Sequence, residues 1–129
     1  MVNVKNAATI DPIEEHNGTV TSWFLVGMEE MRDATAGSFL QFIDEFEVAA
    51  GVAIEPHHHN THEFYYVLDG GGEMRVGTGR QDIAPRDLVH IPPNEPHTLR
   101  GGPDGVRCLA FAASFQAPGE GHTPTEMPD

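Results

Sequence analysis

Between Val20 and Phe111 the chain is broken into short apolar or alternating runs, several of them separated by glycine or proline. The runs are Val20 to Val26, Phe39 to Ile43, Phe46 to Ala50, Phe64 to Leu68, Glu73 to Val76, Leu88 to Ile91 and Val106 to Phe111. Runs of this length bounded by turn residues read as strands. The breaks carry turn chemistry: Gly70, Gly71 and Gly72; Gly77 and Gly79; Pro92, Pro93 and Asn94; then Gly101, Gly102, Pro103 and Gly105. Many short strands between such breaks imply an all-β antiparallel sandwich or barrel. Only Met28 to Ala36 has helical character, and it is short and charged throughout, so it is predicted to be a turn or a single helical loop.

A chain of 129 residues is the size of one ordinary domain, and no internal repeat suggests a second. The expected domain is 1–129, with a barrel over about 20–115 and polar termini at 1–18 and 117–129 that fray or lie over it. Hydrophobic residues make up 39% of the chain, enough for a compact core. Cys108 is the single cysteine, so no internal disulfide can form, and a reducing cytoplasm is the default expectation. The first residues lack the basic start and apolar stretch of a signal peptide, and no apolar run approaches the ~20 residues of a membrane helix. With 20 acidic against seven basic residues and a formal charge of −13, the chain is expected to repel nucleic acid and anionic lipid. The expected partner is a small molecule.

His57, His58, His59 and His62 crowd next to Glu63. In a strand, alternate side chains share a face, so His57 and His59 point one way and His58 the other. Asn60 and Thr61 are turn formers that bring Glu63 back towards the pair. Imidazole and carboxylate together suit Fe, Mn, Co, Ni, Cu or Zn rather than the all-oxygen sites of Mg or Ca.

Gly51, five residues, His57, one residue, His59, three residues, Glu63, six residues and Gly70 reproduce a spacing that resembles the first conserved motif of the cupin superfamily. The strand that follows, EFYYVLDG, is similar to that family's wording as well. A second cupin motif supplies one more histidine, and two registers compete for it. One begins at Gly79 and reaches His90; the other begins at Arg86, passes Pro92 and Asn94, and reaches His97. The second places Arg86 and Asn94 where the family has glycine, yet DLVHIPPNEPH looks like the family's strand, proline turn and histidine, and asparagine tolerates the left-handed conformation. Alternation also puts His90 on the face opposite Val89 and Ile91. His97 is therefore the preferred fourth residue.

The resemblance implies a cupin double-stranded β-helix, an antiparallel jelly-roll barrel. It implies one divalent transition metal ion (Fe, Mn, Ni, Cu or Zn) held by His57, His59, Glu63 and His97 near a barrel mouth. Glu63 and Tyr65, which shares its face, are the candidate catalytic side chains. A homodimer is also what the resemblance implies, with Trp23 and Phe24 as candidate interface residues. Three functions are compatible: a non-haem metal dioxygenase; a non-redox isomerase, decarboxylase or lyase; and a non-catalytic binding protein. The first is preferred because Phe39, Phe42, Phe46, Phe64 and Phe111 suggest an apolar pocket with few basic residues. An inward Arg75, Arg100 or Arg107 would instead favour a carboxylate substrate. His58, His62, His16 and His122 are expected to be solvated or peripheral, and Cys108 a small buried hydrophobe.

Overall fold

A computed structural model describes residues 2–114; the expectations for 117–129 and for His122 lie outside the described residues. After a 3-10 turn at Ala7–Thr9 come β1 (Ile13–Glu15), β2 (Val20–Val26), α1 (Met28–Ala34), β3 (Leu40–Val48), β4 (His62–Val76), β5 (Gly79–Ile83), β6 (Leu88–Ile91) and β7 (His97–Ala113). Every strand pairing is antiparallel, in the order β1-β2-β3-β7-β4-β5, with β6 attached to β4. The all-β antiparallel fold is the expected one.

Three boundaries differ from expectation for physical reasons. The runs Phe39 to Ile43 and Phe46 to Ala50 are joined in the single strand Leu40–Val48, because Asp44 occupies an inward position in alternation with Phe42 and Phe46 instead of ending the run. The glycines at 70–72 and 101–105 do not end strands either; β4 and β7 run through them. There the two backbones approach so closely that a Cβ on Gly70 would lie 2.1 Å from the Gly105 carbonyl oxygen. Met28–Ala34 is a short α-helix rather than a loop; Met31 is its buried anchor, and Glu29 and Glu30 sit in its first turn, where the helix dipole favours them. Edge strand β5 carried no readable alternation, because all its residues but Ile83 face solvent.

The β4–β7 ribbon folds over on itself. Glu63 pairs with Ala112 at one end of it and Val76 pairs with His97 at the other. A straight ribbon would hold these ends ~40 Å apart at about 3.3 Å per residue. In the structure Glu63 Oε1 and His97 Nε2 are 3.4 Å apart. The ribbon turns at its register shifts between Val67 and Gly72, opposite the glycines of β7. The fold encloses a core of Val48, Ile54, Val67, Ile91, Leu99 and Val106, all 2% exposed or less. Burying side chains of this kind contributes ~1.5–3 kcal/mol each.

Two matching turns lead into and out of β6. The Asp87 amide donates to the Ala84 carbonyl at 3.0 Å, with Pro85 and Arg86 between them and Arg86 at φ +78°. The Glu95 amide donates to the Pro92 carbonyl at 3.4 Å, with Pro93 and Asn94 between them and Asn94 at φ +64°. Proline followed by a positive φ is the type II pattern, which prefers glycine or asparagine at its third residue. Arginine in that conformation is strained by ~1–2 kcal/mol. Arg86→Gly is therefore expected to stabilise the fold by about 1 kcal/mol, read as a higher urea midpoint; an unchanged or lower midpoint would refute the strain argument. These are the two family glycine positions that the His97 register assigns to Arg86 and Asn94.

Candidate metal centre

His57 and His97 come from segments that bridge each other. The His57 amide donates to the His97 carbonyl at 3.2 Å and the His97 amide to the His57 carbonyl at 2.9 Å. Each imidazole also donates Nδ1–H to the carbonyl two residues before it, His57 to Glu55 at 2.8 Å and His97 to Glu95 at 2.9 Å. Because a carbonyl only accepts, this fixes the tautomer and leaves each Nε2 as a lone-pair donor facing inward. His59 joins them after the turn that Asn94 secures by donating its amide to the His59 carbonyl. Glu63 enters from the start of β4.

The ligand atoms of His57, His59, Glu63 and His97 all lie within 4.8 Å of one another. His59 Nε2 is 3.0 Å and His97 Nε2 3.4 Å from Glu63 Oε1. Neither contact is aligned as a hydrogen bond, so Glu63 Oε1 and His97 Nε2 are buried without a partner. Buried polar atoms are rarely left so. Three imidazoles and one carboxylate converging on one point, two of their atoms orphaned, fit a divalent transition metal. The ionisation states fit too. Burial, followed by the neighbouring His97, pushes His57 down to about 3, so it stays neutral. Burial alone would raise Glu63, but the contacts of His59 and His97 outweigh it and hold the carboxyl at about 2, so it stays ionised.

The centre opens into a cavity of about 140 Å³. This is close to the ~150 Å³ that accommodates one benzene-sized molecule. Across β2, β3, β7 and β4, the register aligns Phe24, Asp44, Ala110 and Tyr65. Ala110, with its single methyl, leaves the space between Asp44 and Tyr65 open. Phe24, Phe42, Phe46, Val20 and Ile54 form apolar wall; Glu15, Ser22, Gln41, Asp44, Glu63 and Tyr65 add polar groups. The Tyr65 phenol is buried, and burial followed by the nearby Glu63 pushes it well above the usual phenol range, so it carries its proton. Asp44 is pushed up in the same direction by burial, then by Glu15, Glu63 and Glu45.

Several expectations are corrected here. Phe39 is exposed, and Phe64 and Phe111 stack on each other at 5.0 Å away from the cavity, so the apolar wall is smaller than the five phenylalanines suggested. Phe24 lines the cavity, and Trp23, half-buried, lies beneath the Arg107 guanidinium at 4.3 Å. Arg75 bonds Glu73, Arg107 bonds Glu45 and Glu47, and Arg100 donates to the Gly51 carbonyl; none of the three lines the cavity. His16 is not a solvated terminal residue: its ring stacks on His57 at 3.9 Å and lines the cavity. His90 lies outside the centre, exposed and 2.8 Å from His62. His58 is exposed, as alternation required. Glu15, Ser22 and Asp44 were missed by sequence reasoning. Alternation carried the signal for two of them: Ser22 sits between inward Val20 and Phe24, and Asp44 between inward Phe42 and Phe46.

Residues 44–110 match the family model described as the cupin domain. The chain belongs to the cupin family. A 73-residue stretch is 34% identical to the dimethylsulfoniopropionate lyase DddW of Ruegeria pomeroyi, covering 55% of this chain and 48% of that enzyme. A 55-residue stretch is 39% identical to the gentisate 1,2-dioxygenase of a Haloferax species, covering 43% of this cupin and 15% of that enzyme. The cupin thus matches less than half the length of either relative. Among solved structures, a predicted oxalate decarboxylase from Thermotoga maritima superposes with a TM-score of 0.74 at 21% identity, over 88% of this chain and 100% of that one. At that identity the likeness establishes the jelly-roll fold. Among the described residues no helix is long and apolar enough to cross a membrane.

Proposed function

We propose that this cupin is a metal-dependent enzyme that transforms a small organic molecule by acid–base chemistry, as a lyase, decarboxylase or isomerase. His57, His59, Glu63 and His97 hold one divalent transition metal, and Tyr65 is the proton-carrying catalytic group. The observation that carries the reading is the pair of orphaned atoms, Glu63 Oε1 and His97 Nε2, facing a small cavity with a buried phenol beside them. A bound ion would supply Lewis-acid polarisation of a substrate oxygen. Tyr65 then gives the proton that the substrate takes up as its bonds rearrange, while Phe24, Phe42 and Phe46 exclude water from its apolar part.

This reading departs from the preference for oxygen chemistry, because the cavity carries more acid–base groups than the sequence suggested. Dioxygenation stands as the second reading, favoured by the three phenylalanines and the likeness to gentisate dioxygenase. The two are separated by loading the protein with Fe, Mn, Ni, Cu or Zn in turn and offering dimethylsulfoniopropionate and gentisate with and without dioxygen. Turnover without dioxygen supports the first reading; oxygen uptake that requires substrate supports the second. A metal-loaded protein that binds these molecules and changes neither would leave a binding module. Under the first reading, Tyr65→Phe lowers kcat by ~10²–10⁴-fold with unchanged metal content. Full activity in that variant would remove Tyr65 from the mechanism.

A further inference from the structure

Asp44 is 4% exposed, lines the cavity, and has no hydrogen-bond partner at Oδ1. Its neighbours across the sheet are Phe24 and Ala110, whose side chains offer none. No lysine or arginine lines the cavity, and the nearby Glu15 accepts from the Ser22 hydroxyl at 2.6 Å. An unsatisfied buried polar group costs ~1–3 kcal/mol, and the flanking residues Phe42 and Phe46 show that an apolar side chain suits this face. Such a cost, at a group aimed into a cavity, points to a ligand that relieves it.

We propose that Asp44 is a substrate-touching, specificity-determining residue, whose carboxyl hydrogen bonds to a hydroxyl oxygen of a compact molecule held at its other end by the metal centre. The inference rests on the reading of that centre as a metal site. Asp44 stands on β3, two strands from Tyr65 on β4, with Ala110 of β7 between them. At about 4.8 Å per strand their backbones are roughly 10 Å apart, which leaves the side chains room for a molecule only a few bonds long. Burial and the neighbouring carboxylates push Asp44 well above the usual carboxylate range, which favours the protonated form that donates to such an oxygen. With Glu15 and Glu63 close by and no lysine or arginine in the lining, a second carboxylate at this end is disfavoured. The ligand class is therefore a small, singly charged hydroxy acid or its equivalent, favoured over dianions.

The test measures calorimetric affinities of the zinc-loaded protein for ω-hydroxy acids of two to five carbons, each against the plain acid and the dicarboxylate of equal length. At one length the hydroxy acid is expected to bind about tenfold more tightly than the plain acid, the contribution of one buried hydrogen bond. Asp44→Leu abolishes that preference, Asp44→Asn retains part of it, and both keep wild-type zinc content. No preference at any length, a preference that survives Asp44→Leu, or tighter binding of dicarboxylates would overturn the proposal. If the wild type takes up no metal, the proposed centre falls, and thermal unfolding decides on Asp44 alone. An orphaned functional acid makes Asp44→Leu melt higher than wild type, whereas a lower or equal melting temperature shows that Asp44 is structural and overturns the assignment.

Discussion

Protein carrying His97→Ala is expected to bind its metal at least about a hundredfold more weakly than wild type. It should emerge from tag-free purification with little metal, while His90→Ala retains it. Altering the groups that merely orient a ligand changes metal affinity 10–100-fold, and removing a ligand itself should exceed that. His97 is 2% exposed, its tautomer is set by the Glu95 carbonyl, and its Nε2 has no hydrogen-bond partner among the described residues. His90 offers the contrast, an exposed imidazole paired with His62 on the outer face. Elemental analysis with circular dichroism distinguishes loss of the ion from loss of the fold. Full metal content in His97→Ala, or depletion in His90→Ala, would overturn the assignment of the centre.

Gly70→Ala is expected to destabilise the protein by ~4 kcal/mol or more, a size reserved for gross steric or core defects, whereas Gly51→Ala costs only ~1–2 kcal/mol. Both glycines have a positive φ, +72° at Gly70 and +75° at Gly51. Their surroundings differ. The added methyl at Gly70 would meet the Gly105 carbonyl oxygen at 2.1 Å and the Val106 Cα at 3.2 Å, backbone atoms that no rotamer change can move. Around Gly51 nothing lies within 4 Å, so only the backbone strain remains. Urea unfolding of the two variants measures the difference; equal losses would show that conformation alone, and not close approach, dictates glycine at 70.

Much of the centre was legible because spacing and alternation are local properties. His57 and His59 share a face by strand parity, Glu63 follows a turn of known chemistry, and His97 follows a proline turn, with the positive φ values of Arg86 and Asn94 in the two turns fitting the register. The cavity was less legible, because its lining is set by which strands become neighbours. Ala110 looks unremarkable along the chain and becomes the gap between Asp44 and Tyr65 only when β3, β7 and β4 lie side by side. His16 likewise sits in a polar stretch before β2 and reaches His57 only through tertiary packing. The helix at Met28–Ala34 was underread because its one inward residue, Met31, is too weak a periodic signal. Among the phenylalanines, Phe64 and Phe42 look alike as apolar positions in strands, and which face of the sheet is covered is not written in either segment.

The folded-over β4–β7 ribbon makes the centre a clasp. Glu63 near one end and His97 at the other are distant along the ribbon and adjacent in space, so an ion held by both would add a side-chain cross-link to the backbone bonds that already join these segments. Its dwell time would then lengthen as the ribbon gapes less often, and a chelator in solution would remove it faster from a looser barrel. Timing the transfer of zinc to an excess of chelator would thus serve as a clock for the breathing of the barrel.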